Sequence, residues 1–358
     1  MDTFFKDLKV VELANVLAGP AVGLFFAELG ASVIKIENKR SNGDVTRSWK
    51  LPVEDKDSNY SAYYASVNWN KTSLFIDLET PEERQQVYTL IKEADVVISN
   101  YKKGDDLKLQ MDYKHLHELN PSLVYAHISG FGDDSSRTAF DLILQAETGF
   151  MYMNGTPETG PLKMPVALID VLAAHQLKEG ILIALIKRMK AGKGSYVTVS
   201  LKDAAISSLA NQASNWLMAG YNHQPSGSLH PNIAPYGEVF TTLDSKKMVL
   251  AIGNEKQFAK LCEVLNRIDI IQNPIYNTNT QRIKNRESLF KVLQETISEY
   301  AAEPLLSKLI QEDVPAGIVK SVEDVFTDTS VHPLILRENS SNQASQRVKT
   351  SIFKISEG

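Results

Sequence analysis

Residues 8–37 read "LKVVELANVLAGPAVGLFFAELGASVIKIE". "LKVVEL" (8–13) and "ASVIKIE" (31–37) are short and rich in β-branched residues, which predicts two strands. Between them, "AVGLFFAELG" predicts a helix, with Pro20 near its start and Gly30 as its stop. Two short strands joined by one helix make a βαβ unit, and such units build parallel sheets.

The alternation continues outward from this unit. "TSLFIDL" (72–78), "DVVISN" (95–100) and "LVYAHIS" (123–129) predict further strands. "TPEERQQVYTLIKEA" predicts a helix capped by Thr80, with Pro81 at the first position and early acids. "AFDLILQAETGFMYM" reads as a buried helix, and residues 170–192 as the strongest helix of the chain, ending at Gly192. "GSYVTVSL" predicts a strand and "DAAISSLANQASNWLMAG" a helix. The fold class is therefore α/β, with a large Rossmann-like parallel-sheet domain.

The character changes after residue 220. "YNHQPSGSLHPNIAPYG" holds three Pro and two Gly and reads as a long connection. Beyond it come a hairpin in 238–254, helices in "NEKQFAKLCEVLN" and 282–313, then a turn, strand and helix in "VPAGIVKSVEDVFTD". The expected organisation is a large domain of residues 1–220 and 313–358 and a smaller α+β domain of 225–312. "RVKTSIFKISEG" (347–358) reads as a last strand with a polar tail.

The chain has 358 residues, is 43% hydrophobic and carries a net charge of −5. That is enough for two cores, and it argues against nucleic acid as a partner. The one cysteine, Cys262, lies in an amphipathic helical pattern and is expected in a core. One cysteine, no signal-type leader and no apolar run of membrane-spanning length give the expectation of a soluble cytoplasmic protein with no membrane partner.

Several chemistries lack their residues. There is no GxSxG, no Walker loop and no GxGxxG; the first βα loop offers only Gly19 and Gly23. The seven histidines form no HxxxH pair and there is only one cysteine, so no metal site is expected. Basic residues sit on loops after strands, where open sheets bind ligands: Lys39, Arg40, Arg47, Lys102, Lys103 and Lys108. They are read either as solvated loop charge or as a phosphate site. Asp170 opens "DVLAAH" after the apolar "PVALI". It reads first as a helix N-cap, with the alternative of a nucleophile that the helix end keeps ionised while apolar neighbours strip its water.

The order of these segments resembles family III CoA-transferases, the CaiB/BaiF group, which includes formyl-CoA transferase and carnitine CoA-transferase. The resemblance is carried by "VVELANVLAGPAVGLFFAELGASVIKIENKRSNGDVTRSW", "NWNKTSLFIDLETPEER", "ADVVISNYKKG", "LNPSLVYAHISGFG", "FDLILQAETG", "DVLAAHQLKEGILIALIKRMKAGKGSYVTVSLKDA", "HPNIAPYGEVFTTLDSKKMVLAIGN" and "VPAGIVKSVEDVF". It implies acyl-CoA and carboxylic acids as substrates, no metal, and an interlocked homodimer. Asp170 matches the family's catalytic aspartate, which carries CoA as an aspartyl thioester.

The remaining site residues are also implied by the resemblance. Val16 and Ala18 match a loop passing the nucleotide, Ile76 an adenine contact, and Asn100 and Tyr101 a pair that follows a strand. Lys108 and Arg137 match phosphate contacts, and Lys39 and Arg40 stand in for a basic residue replaced here by Asn38. Tyr63 and Asp141 match groups near the reacting acyl. Glu79 replaces another basic residue, and Leu17 a glutamine of formyl-CoA transferase, which argues against oxalate and formate. Phe140 replaces the proton-transferring histidine of the family's racemases, and phenyl moves no proton. A racemase using another base, and an inactive CoA-binding homologue, stay as alternatives. The family's usual Pro-rich segment beyond the final strand is not found before Gly358, so a short or truncated C-terminal part of the large domain is expected.

Overall fold

The computed structural model describes residues 4–340 and 343–356. Along the chain the strands are β1 (Lys9–Glu12), β2 (Ser32–Asn38), β3 (Lys71–Ile76), β4 (Val96–Ser99), β5 (Val124–Ser129), the two-residue β6 (Gly155–Thr156) and β7 (Gly160–Pro161), β8 (Ser195–Ser200), β9 (Tyr236–Thr241), β10 (Lys247–Ala251), β11 (Ala316–Ile318), β12 (Ile335–Ser340) and β13 (Gln343–Val348). The chain packs as two units: residues 4–152, 162–223 and 332–356 form the first, and 153–161 with 224–331 the second.

The first unit is built on a six-stranded sheet in the order β3-β2-β1-β4-β5-β8, every neighbouring pair parallel. This is the Rossmann-like sheet that residues 8–37 predict. Alternation along each strand gives it two apolar faces. Val10, Val33, Val96, Ile98, Val124, Ala126 and Ile128 pack with Phe26 of the first helix (Ala18–Glu28) and Ile169, Ala173, Leu177 and Ile181 of the long helix (Leu168–Ala191). Val11, Leu13, Ile36, Val97 and Tyr125 face the other way, against Val87 and Ile91 of the helix Pro81–Glu93. The C-terminal segment returns to this unit: β12 and β13 form an antiparallel pair, and Glu28 accepts hydrogen bonds from Arg347 and from the backbone of Thr350 and Ser351.

The second unit has its own core. An antiparallel sheet, β11-β10-β9, is covered by the amphipathic helices Glu255–Val264, Arg286–Ile297 and Ala302–Gln311. Cys262 is buried there among Phe240, Met248 and Leu293, and burial pushes its thiol up to about 12, which makes it an inert core residue.

Several expectations need correction. Residues 313–331, expected in the large domain, belong to the second unit because β11 pairs with β10. Residues 153–161 join that unit as well, where the Gly155 carbonyl accepts from the Gly227 N–H. "AFDLILQAETGFMYM" is not one buried helix. It forms Asp141–Glu147 and Phe150–Met153, interrupted at Gly149 (φ +90°), and leaves Phe140, Leu142 and Ile143 exposed. Residues 203–220 likewise divide, into Leu201–Ser207 and Ala210–Ala219. Thr80 precedes the helix Pro81–Glu93 as expected, but no side-chain cap hydrogen bond forms; its hydroxyl donates to Asp77 instead. The last strand ends at Val348, and residues 349–356 continue without regular structure; 357–358 lie outside the described residues.

Candidate active site

The carboxyl ends of β1, β4 and β5 open into a cavity of about 470 Å³. Its wall contains Asn15, Val16, Leu17 and Ala18 after β1, Asn100 to Leu107 after β4, and His127 to Ser129 at the end of β5. Arg137, Phe140 and Asp170 also line it. A parallel sheet brings these distant stretches together because all its strands end on one edge.

The β1 loop is held in a strained form. Val16 has φ +71°, a rare conformation for a β-branched residue that costs on the order of 1–3 kcal/mol. Two devices maintain it. The Asn100 side chain accepts from the Asn15 N–H (3.0 Å) and donates to the Asn15 carbonyl (2.8 Å). The buried Asp44 carboxylate accepts from the Val16 N–H at 3.1 Å. Asp44 belongs to a buried charge cluster beneath the loop. Lys35 Nζ lies 3.1 Å from Asp44 and 3.0 Å from Glu12, and donates to the Ala14 carbonyl. Lys71 Nζ contacts the other Glu12 oxygen at 2.7 Å. Gly23 makes room for this cluster, since a Cβ there would fall 1.9 Å from Glu12 Oε2.

Asp170 is not the N-cap. The long helix starts two residues earlier than the sequence suggests, so Ala167 is the cap position and Asp170 is the third helical residue. The capping is done from elsewhere: Asp141 Oδ1 accepts from the Ile169 N–H at 2.8 Å, while Asp141 Oδ2 accepts from Gln145 Nε2 at 2.7 Å. Asp170 is 8% exposed, and its carboxylate has no hydrogen bond or ion pair among the described residues. Burial and then the neighbouring Asp141 carboxylate push its pKa up from 3.8 to about 7. The helix end is expected to hold it ionised; burial and the like charge of Asp141 work in the opposite direction. Tyr63 shares these surroundings. Its hydroxyl is pushed up to about 12 by burial, and then by Asp170 and Asp141, and its ring meets Trp49 edge-on.

Comparison with known proteins decides the family. The model of CoA-transferase family III matches residues 5–356. The chain belongs to that family. It is 38% identical to the succinate–glutarate CoA-transferase of Agrobacterium fabrum over 93% of this chain and 84% of that protein. It is 31% identical to the human succinyl-CoA:glutarate CoA-transferase over 98% of this chain and 81% of that protein. A crystal structure of a CaiB/BaiF family protein from Brucella suis superposes with a TM-score of 0.89 at 36% identity, covering 99% of this chain and 93% of that one.

In this family III CoA-transferase the expected site residues separate into two groups. Val16, Ala18, Asn100, Tyr101, Arg137 and Asp170 line one cavity, with Lys102 and Lys103 beside them. Asp141 and Tyr63 adjoin it through Asp170. Lys39, Arg40, Ile76 and Lys108 are not in its wall. Lys39 is paired with Glu83 (2.7 Å), Lys108 with Asp105 (3.1 Å), and Ile76 is buried in the sheet. Arg40 is paired with Asp77 and with Glu79, the acid that stands where a basic residue was looked for. Arg47 is a structural residue, buried on Glu37. Arg137 faces the cavity while its guanidinium pairs with Glu147 and lies over the Phe131 ring. No cluster of metal-ligating groups occurs, and no helix is long and apolar enough to cross a membrane, among the described residues.

Two wall residues, His127 and Ser129, escaped the sequence reading. Their signal was present: polar residues two apart at the carboxyl end of an otherwise apolar strand, where such sheets bind ligands.

Proposed function

We propose that this CoA-transferase moves CoA from an acyl-CoA to a free carboxylic acid by way of a covalent aspartyl-CoA on Asp170. The observation that carries the reading is the Asp170 carboxylate itself: in the cavity wall, withdrawn from water and without a cation. A carboxylate that no donor holds is a better nucleophile than a solvated one.

Deprotonated Asp170 attacks the thioester carbonyl carbon. The C–S bond breaks, CoA thiolate leaves, and a mixed anhydride forms. The thiolate attacks the aspartyl carbonyl of the anhydride, releasing the donor acid and leaving an aspartyl thioester. The acceptor carboxylate attacks that thioester and expels the thiolate to give a second anhydride. The thiolate then takes the acceptor acyl group and frees Asp170. No proton or oxidant is consumed, and the thioester energy is conserved. The names of the relatives support dicarboxylic acids of the succinate and glutarate kind as substrates. Exposed Ile183, Ile186 and Met189, spaced along the long helix, together with Trp216, Leu217 and Met218, support the homodimer as part of the same reading.

Asp170→Ala should lower transfer between succinyl-CoA and glutarate by about four orders of magnitude or more while the melting profile is kept. Hydroxylamine added after acyl-CoA alone should convert Asp170 to a hydroxamate seen by peptide mass spectrometry. Near wild-type exchange by the variant would refute the mechanism. Incorporation of solvent deuterium at the α-carbon, with no acceptor present, would point to racemisation instead.

A further inference from the structure

His127 and Ser129 lie two apart on β5, so their side chains share one face of the strand, and both line the cavity that holds Asp170. They are 8% and 9% exposed. His127 Nδ1 and Ser129 Oγ are buried and have no hydrogen-bond partner among the described residues. Buried polar atoms are nearly always paired, and two unpaired neighbours on one cavity wall call for a partner from a ligand. Asp133, the acid that bears most on His127, is engaged elsewhere: it accepts from the Tyr196 hydroxyl (3.0 Å) and from Thr198 Oγ1 (2.8 Å).

We propose that His127 Nδ1 and Ser129 Oγ hydrogen-bond the amide groups of the pantetheine arm of the bound acyl-CoA. This rests on the acyl-CoA reading above. The same wall carries the cations Lys102, Lys103 and Arg137, which suit phosphates, and Asp170, which must meet the thioester. The arm joining those two ends of the ligand is uncharged and offers amide N–H and C=O groups. His127 matches that chemistry. Burial pushes its imidazole below the usual range, against the opposing pull of Asp133, Asp106 and the Ser99 backbone, so the ring is neutral near pH 7. A neutral imidazole presents Nδ1 as donor or acceptor according to tautomer, and a serine hydroxyl serves as both.

The test is calorimetric titration of the wild type, His127→Ala, His127→Asn and Ser129→Ala with two probes, CoA and adenosine 3′,5′-diphosphate, which lacks the arm. The expected result is a loss of about tenfold in CoA affinity for each alanine variant. Affinity for the diphosphate should be unchanged, and His127→Asn should recover part of the loss. Unchanged CoA affinity in folded alanine variants would overturn the inference, as would equal losses for the two probes. If the wild type bound neither probe, the acyl-CoA reading itself would fall and this inference with it.

Discussion

Two buried carboxylates of the same unit behave in opposite ways. Glu37, at the end of β2, is fully withdrawn from water, as Asp170 nearly is. Arg47 donates to both Glu37 oxygens (2.7 and 2.5 Å), the Tyr64 hydroxyl donates at 2.9 Å and the Asp44 N–H at 2.8 Å. Burial by itself would raise Glu37; the Arg47 and backbone hydrogen bonds overcome it and bring the carboxyl down to about 2. Asp170 has no donor among the described residues, has an acid for a neighbour, and is pushed up to about 7. Burial alone therefore does not say what a carboxylate is for. The donors around it set its charge preference: Glu37 is spent on holding the scaffold, while Asp170 keeps its pKa high beside Asp141, as the nucleophile proposed above would.

The contrast makes the largest claim on stability. Glu37→Gln leaves the Arg47 guanidinium buried without its charge partner and should destabilise the first unit by about 3 kcal/mol, read by urea denaturation. Asp170→Asn should do the reverse. A carboxyl raised from 3.8 to about 7 on folding weakens the fold as pH rises across that window, so removing its charge stabilises most above pH 7 and little near pH 4. Glu37 contributes stability that is full above 4.5 and lost as pH falls toward about 2. Shifts in the same direction for the two variants at pH 8 would break the contrast.

The next effect is on rate. With Asp170 as nucleophile, single-turnover acyl transfer should fall about tenfold per pH unit below about 7 and level off above it. A flat profile between pH 5 and 8 would mean that Asp170 does not titrate during the reaction. The smallest effect sharpens the comparison further. Asp141→Asn keeps an oxygen for the Ile169 N–H but removes the like charge, so the acid limb of the profile should move to lower pH while the melting temperature changes little. An unmoved limb would leave burial as the whole cause.

The parallel sheet was legible because its strands are apolar on both faces and are separated by helices with clear starts and stops, as in residues 8–37. Boundaries were less so. The Asp170 helix was placed two residues late because Asp is a common N-cap, while the true cap comes from Asp141, 28 residues away in sequence. The loop cations are visible in the sequence, but which of them share a cavity is not. Lys39, Lys108 and Arg40 find acids nearby, and Arg47 turns inward to Glu37.

By itself the sequence determined the α/β alternation, the loops that follow the strands and the family signatures. Periodicity and short motifs are local, and they survive in one dimension. Only the tertiary structure decided the burial of Asp170 beside Asp141, the strained Val16 loop clamped by Asn100 and Asp44, and the unpaired His127 and Ser129 on the same wall. Each depends on which groups from distant segments meet out of water, and desolvation and hydrogen bonding are set by those meetings.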